Sequence, residues 1–198
     1  MKIQPKSIKV KDIFDGYADN GDNGVFAYDG RLAIRPAYQR EFVYSSEQAE
    51  SVIHTILKGF PLNVMYWVKV GDDQYEVLDG QQRTLSVMQY LDHKYSISFD
   101  GGKYYCDSLP DDKYDDIMNY EFMVYVCEGS ESEKLDWFKV VNIAGEKLTD
   151  QELRNSVYTG KWLTDAKRYF SKRNCAAKGL SDKYIKADPN RQELLEKA

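Results

Sequence analysis

Residues 74–91 change from a strand pattern to a helix pattern within a few positions, and this change restricts the fold more than any other part of the sequence. Gln74–Leu78 (QYEVL) alternates as a half-buried strand does, and Leu85, Met88 and Leu91 then recur at helical spacing. The polar segment between them, Asp79–Thr84 (DGQQRT), therefore lies at a turn from a strand into a helix. A strand that leads directly into a helix is typical of mixed α and β folds.

Strand and helix patterns also alternate in the neighbouring segments. The clearest signals are a hairpin at VFAYDGRLAI (residues 25–34), a helix that opens with the capping box Ser45 to Gln48, and strands at VMYWVKV (64–70) and EFMVYVC (121–127). From residue 130 onward the patterns are helical. The sequence predicts an α+β fold, with a small mixed sheet and packed helices in residues 1–129 and a helical subdomain in residues 130–198. Because RQELLEKA begins another helix pattern, we expect the subdomain to continue beyond this chain.

Composition limits the setting of the protein. Twenty-seven Lys and Arg against 32 Asp and Glu give a net charge of -5, so a broadly basic surface for duplex DNA is excluded and any anion site must be local. Cys106, Cys127 and Cys175 are odd in number and far apart, which favours reduced thiols. With neither a signal peptide nor a long apolar run, we expect a cytoplasmic protein without a membrane span.

The turn at Asp79–Thr84 brings together groups that suit a phosphate ligand. A helix N-terminus attracts anions, Gly80 lets a phosphate approach the backbone closely, and Arg83 offers a charged, bidentate fork. Asp79 is suited to hold Mg²⁺ or to orient a water. The plainer interpretation is a capping Asp79 and an Arg83 that pairs with a surface acid, and residue chemistry alone leaves both open.

A second polar motif precedes the capping box. Arg35–Arg40 (RPAYQR) lies between the hairpin and the helix, and it supplies Gln39 and Arg40 on a backbone that Pro36 keeps out of the helical conformation.

These two motifs resemble a known family. RPAYQREFVYSSEQAESVIHTILKGFPLNVMYWV, followed by YEVLDGQQRTLSVMQYL, is similar to the N-terminal domain of GmrSD-type, modification-dependent restriction proteins, which are distantly related to ParB and sulfiredoxin. The similarity continues through Phe138, Asn142, Gly145, Leu148 and Glu152–Asn155. It implies a ParB/sulfiredoxin-like sheet.

The resemblance also implies a nucleotide site. Its catalytic residues would be Asp79, Gln81 and Arg83, with Asp79 as the ligand of Mg²⁺. The nucleotide-binding residues would be Gln39, Arg40, Gly80, Gln82, Thr84 and Asn142. The implied role is that of a module of bacterial anti-phage defence that binds and hydrolyses a nucleoside triphosphate, in a protein that senses modified phage DNA.

Two departures narrow this expectation. The chain has no GxxxxGK[ST] loop, so a nucleotide would not be held by a P-loop. Its two histidines, His54 and His93, lack metal-ligand spacing, so we expect no nuclease activity from this segment, and a nuclease or effector domain would lie outside it. The alternative function is a non-enzymatic module that binds DNA or a partner protein through the same pocket.

The segment Lys161–Arg173 permits two further interpretations. It interleaves basic residues with Trp162, Tyr169 and Phe170. A helix there would either present a basic, aromatic face to nucleic acid or bury the three rings and leave its lysines in solvent. The second arrangement is the commoner one, and we expect it here.

Overall fold

The computed structural model describes residues 1–35, 44–130, 132–133, 136–137, 161–170, 175–181 and 184. The chain divides into two compact units, one formed by Met1–Pro36 and Tyr44–Lys134 and the other by Ala37–Val43 and Leu135–Ala198. The division at residue 130 that the sequence suggests stays a prediction.

The first unit is built on a mixed sheet. The strands among its described residues are β1 Lys2–Lys9, β2 Ala18–Asp19, β3 Val25–Ala27, β4 Leu32–Arg35, β5 Met65–Gly71, β6 Gln74–Asp79, β7 Ile97–Phe99, β8 Gly102–Tyr104 and β9 Glu121–Glu128. Seven of these form one sheet in the order β1-β9-β5-β6-β4-β3-β2, and β7 and β8 form a separate hairpin. Within the large sheet β4 runs parallel to β6 and β5 runs parallel to β9, whereas the other neighbours are antiparallel.

Helices of the first unit pack against one another beside this sheet. They are α1 Val10–Phe14, α2 Ser46–Leu57, α3 Gln81–Leu91 and α4 Asp111–Asn119. The capping box predicted at the start of α2 is confirmed, because the Ser45 hydroxyl accepts from the Gln48 amide at 3.2 Å and the Gln48 side chain accepts from the Ser45 amide at 2.8 Å.

Buried side chains recur at strand spacing along β5 and at helical spacing along α3. Met65 and Trp67 alternate along β5 and are fully buried, as are Leu85 and Met88 at helical spacing on α3. The hydroxyl of Thr84 reaches the sulfur of Met65 at 3.3 Å, which shows that α3 packs on that face of the sheet. The α+β class and the mixed sheet are therefore confirmed, while the ParB/sulfiredoxin-like type stays a prediction.

In the second unit, helices α5 Lys161–Phe170 and α6 Ala176–Ser181 contact each other. Our expectation that α5 buries its aromatic rings is wrong for two of them. The side chains of Trp162 and Tyr169 are 78% and 53% exposed, and only Phe170 is half-buried.

Two predictions from composition can be compared with the described residues. Cys106, Cys127 and Cys175 form no disulfide, as the odd count suggested, and the structure shows that all three are buried. Among the described helices, none is long and apolar enough to cross a membrane.

Candidate functional site

The segment Asp79–Thr84 lies where β6 ends and α3 begins. Asp79 is the last residue of β6, Gly80 is the N-cap, and Gln81 is the first helical residue. The Thr84 amide donates to the Gly80 carbonyl at 2.9 Å, which opens the helix. The predicted turn from a strand into a helix is confirmed, and it brings the partial positive charge of a helix N-terminus beside these side chains.

A β-bulge redirects the Asp79 side chain. On β5, Tyr66 pairs with Asp79 and Trp67 pairs with Val77, so Leu78 is an extra residue on β6. A bulge bends its strand and changes the direction of the next side chain, and bulges are common beside functional sites. Asp79 consequently shares a row of the sheet with Tyr66.

Gly80 is required by local geometry whether or not a phosphate binds. Its φ is +95°, in the left-handed region that favours glycine. A Cβ at this position would lie 2.7 Å from Cγ and 3.0 Å from Cβ of Met65. The tight turn therefore depends on the missing side chain of Gly80, and Met65 occupies the space where that side chain would be.

Arg83 donates to one carboxylate and to two backbone carbonyls at this turn. Its Nη2 donates to Asp79 Oδ2 at 2.8 Å, and its Nη1 donates to the carbonyls of Asn63 and Val64, the latter at 3.2 Å. Asn63 and Val64 lead directly into β5, so the guanidinium ties the start of β5 to the end of β6. Two N–H donors of the Arg83 guanidinium, the one on Nε and the second one on Nη2, have no partner among the described residues.

The Asp79 carboxylate uses only one of its oxygens in this arrangement. Oδ2 is held by Arg83, the side chain is 30% exposed, and no donor from the described residues is bonded to Oδ1. Tyr66 lies next to Asp79 in the sheet. The Tyr66 ring stacks on the ring of Tyr125, with 5.7 Å between the ring centroids. Burial raises the pKa of the Tyr66 hydroxyl, and the nearby Tyr125 and Asp79 raise it further. Tyr66 therefore stays a neutral phenol beside the carboxylate.

The other two polar side chains of the motif face inward. Gln82 is buried, and its Oε1 accepts from the amide of Tyr44 at 3.3 Å. Thr84 is fully buried, and its hydroxyl donates to the Gly80 carbonyl at 3.0 Å. The nucleotide-binding roles expected for Gln82 and Thr84 stay predictions, and both side chains already stabilise the turn.

The motif Arg35–Arg40 begins at the same edge of the sheet. Its first residue ends β4, and β4 is the parallel neighbour of β6, so the carboxyl ends of the two strands lie side by side. The Arg35 guanidinium itself is buried and donates to the Gly21 carbonyl at 2.6 Å. Gln39, Arg40 and Asn142, which we expect to bind nucleotide, lie outside the described residues.

The donor set permits only a limited metal site. No group of three or more His, Cys, Asp or Glu side chains that could hold a metal ion is found among the described residues. Mg²⁺ often takes one or two protein carboxylates and completes its shell with phosphate oxygens and water. Asp79 Oδ1 fits that mode as a single protein ligand, for an ion that would arrive with a nucleotide.

Four residues of this site were missed by sequence reasoning. These are Tyr44, Asn63, Val64 and Tyr66. Asn63 and Val64 act through backbone carbonyls, which carry no residue signature, and Tyr44 acts through its amide. Tyr66 had a weak signal, because alternation along the strand VMYWVKV places it on the face opposite to Met65 and Trp67.

Comparison with known proteins supports one assignment. Residues 10–159 match the family model described as GmrSD restriction endonuclease, N-terminal domain. No curated protein and no solved structure matches the chain. The match covers most of the chain and includes both polar motifs, so the chain belongs to the GmrSD restriction endonuclease N-terminal domain family.

Proposed function

We propose that this chain is the nucleotide-binding module of a restriction-type anti-phage protein, and that it hydrolyses a nucleoside triphosphate with Mg²⁺. The observation that carries the proposal is the position of the two polar motifs. Both begin at the carboxyl ends of β4 and β6, which are adjacent and parallel. In open sheets, ligands commonly bind outside the carboxyl ends of parallel strands.

A second anchor supports this arrangement. The described chain resumes at Tyr44, and the Tyr44 amide is bonded to Gln82 of the second motif. Arg35 therefore ends the strand next to β6, and Tyr44 lies beside the first turn of α3. The roles of Gln39 and Arg40 as further nucleotide ligands rest on the family resemblance.

Each remaining group has a role that suits phosphoryl transfer. The N-terminus of α3 and the spare donors of Arg83 would hold phosphate oxygens, and Gln81, at the first helical position, would orient the attacking water. Asp79 would hold Mg²⁺ through Oδ1, and the ion would neutralise charge on the phosphates. The Asp79–Arg83 ion pair fixes both side chains before the ligand arrives, which reduces the entropic cost of binding.

One observation favours a second candidate, a non-enzymatic module that binds DNA or a partner through the same pocket. Arg83 is already bonded to Asp79 and to the carbonyls of Asn63 and Val64, and its side chain is only 15% exposed. A guanidinium with these partners contributes to the fold even if no phosphate binds. This candidate shares the site but predicts no turnover.

The test compares two glutamines on α3. Gln81 lies in the first turn, whereas Gln89 lies in the last turn with similar partial burial. Gln81→Ala should lose most of the release of phosphate from the preferred nucleotide, and Gln89→Ala should retain it. Arg83→Ala is unsuitable as the first variant, because it removes three hydrogen bonds that hold the turn.

Binding is measured separately by thermal unfolding with each of the four nucleoside triphosphates and MgCl2. A nucleotide at 100 times its Kd adds about 2.7 kcal/mol of stability, which raises Tm by about 5–10 °C for a chain of this size. Stabilisation with phosphate release supports hydrolysis, and stabilisation without release supports the non-enzymatic candidate. No stabilisation by any nucleotide, or equal losses in Gln81→Ala and Gln89→Ala, would overturn the proposed site.

A further inference from the structure

A row of paired residues crosses the sheet and ends at Asp79. Tyr125 on β9 pairs with Tyr66 on β5, and Tyr66 pairs with Asp79, the last residue of β6. Residues that pair across neighbouring strands point to the same face of the sheet, and the strands lie about 4.8 Å apart. Tyr66 is therefore the aromatic residue next to the Asp79 carboxylate, and Tyr125 lies one strand further away.

The neighbouring ring fixes the orientation of the Tyr66 side chain. The rings of Tyr66 and Tyr125 are stacked, with 5.7 Å between their centroids and 28° between their planes. Both side chains are half-buried, so they are restricted in their motion but still reach solvent. A side chain that is already held in this way loses little further freedom when its hydroxyl binds a ligand.

The Tyr66 hydroxyl lies within electrostatic range of both members of the Asp79–Arg83 ion pair. Burial raises the pKa of this hydroxyl most, the charge of Asp79 raises the pKa further, and the charge of Arg83 lowers it. The Arg83 guanidinium also donates to the Val64 carbonyl at 3.2 Å, only two residues before Tyr66 on the same chain segment. A phenol that stays neutral retains its O–H and so donates a hydrogen bond to an anion.

We propose that Tyr66 is a further binding residue of this site, and that its hydroxyl donates a hydrogen bond to the terminal phosphate of the nucleoside triphosphate. The inference rests on the proposed function, in which Asp79 holds Mg²⁺ on the phosphates and Arg83 donates to their oxygens. These groups act on the phosphate that is transferred, so the nearest hydroxyl contacts the same phosphate. The phenol adds a donor there without adding another charge.

The test compares the two hydroxyls of the stacked pair in the full chain. Tyr66→Phe and Tyr125→Phe each remove one oxygen and leave both rings in place, so Tyr125→Phe is the matched control. The ligands are the β,γ-imido analogue of the nucleoside triphosphate that stabilises the wild type most and the matching diphosphate, each titrated calorimetrically with MgCl2. Tyr66→Phe should weaken binding of the triphosphate analogue by about 10- to 100-fold, because a hydrogen bond to a charged group is lost. Tyr125→Phe should leave it unchanged.

The diphosphate gives a readout that a structural role of Tyr66 would not move. Contact with the terminal phosphate predicts that Tyr66→Phe binds the diphosphate as tightly as the wild type does. Damage to the fold would weaken both ligands alike. Because the two ligands are compared within one variant, the ratio of their affinities remains informative even if Tyr66→Phe has a lower Tm.

The outcomes separate this inference from the proposed function. If the wild type binds no nucleotide, the proposed function fails and the role of Tyr66 fails with it. If the wild type binds the triphosphate analogue but Tyr66→Phe binds it equally tightly, only the role of Tyr66 is overturned. The same holds if Tyr66→Phe weakens the diphosphate as much as the triphosphate analogue, or if Tyr125→Phe loses as much affinity as Tyr66→Phe.

Discussion

Gly80→Ala should destabilise the first unit by about 2–5 kcal/mol, because two separate costs add. The left-handed backbone at φ +95° costs an L-residue about 1–2 kcal/mol. The new Cβ would also lie 2.7 Å from Cγ and 3.0 Å from Cβ of Met65, and forcing such a contact costs about 1–3 kcal/mol. Met65 is buried between the sheet and α3, so it has little room to move away.

The assay is urea unfolding followed by the fluorescence of Trp67, which is completely buried and reports loss of the core. Gly101→Ala is the matched control. Gly101 has φ +78°, but an added Cβ would meet no atom within 4 Å, so only the backbone cost applies and about 1–2 kcal/mol should be lost.

A double-mutant cycle separates the two costs. In a Met65→Ala background the contacts to Cγ and to the sulfur are gone, so Gly80→Ala should cost about 1–3 kcal/mol less than in the wild type. A Gly80→Ala cost no larger than that of Gly101→Ala, or an equal cost with and without the Met65 side chain, would contradict a clash with Met65. In either case the requirement for glycine would have to come from the ligand.

Two further predictions concern buried hydrogen bonds and acid stability. The Tyr17 hydroxyl is buried with no hydrogen-bond partner in the described structure, so Tyr17→Phe should raise stability by about 1 kcal/mol in urea unfolding. Tyr95→Phe should lower it by a similar amount, because the Tyr95 hydroxyl donates to the Ser86 carbonyl at 2.8 Å; equal effects of the two variants would contradict this account. The Ser98 amide donates a hydrogen bond to Glu50 and holds the pKa of that carboxyl below its usual 4.5. The stability that this bond contributes is therefore present above pH 4.5 and is lost as the pH falls through the lowered pKa. Glu50→Gln should therefore lose less stability than the wild type between about pH 7 and pH 3, and an unchanged loss would exclude this carboxylate as a cause of acid sensitivity.

Local patterns predicted most elements of the first unit well. The capping box at Ser45, the hairpin at Asp29-Gly30 and the strand that ends at Asp79 are all confirmed, because each depends on residues close together in sequence. Strand β1, Lys2–Lys9, does not follow from a local pattern over most of its length. Its first residues are mostly exposed and lack a hydrophobic pattern, and pairing with β9 across the sheet makes them a strand.

The sequence predicts which residues form the candidate site, but it does not predict the hydrogen bonds that join them. The sequence indicates that Asp79 and Arg83 lie at a helix N-terminus. The two residues are four positions apart, a spacing that brings side chains together on a helix. The sequence leaves open whether Arg83 faces a ligand or an acid. The structure shows that Arg83 forms an ion pair with Asp79 and donates to the carbonyls of Asn63 and Val64. These two partners lie some 20 residues away, and they act through backbone atoms that every residue type has.

For helix α5, the sequence predicts the helix but not which of its side chains are buried. Helical spacing correctly predicted a helix with its aromatic rings grouped, but it could not say which side of the helix would be covered. Burial is decided by what packs against an element, and the structure leaves Trp162 and Tyr169 open.

Local periodicity and motifs that are contiguous in the chain are enough to predict the α+β class, the strand-to-helix turn at Asp79–Thr84 and the family. The three-dimensional fold, in contrast, makes β4 and β6 parallel neighbours and so brings the starts of the two motifs to one edge of the sheet. It also decided that Met65 fills the space beside Gly80. Strand order and side-chain neighbours depend on contacts between residues far apart in the chain, and no local pattern encodes which of those contacts form.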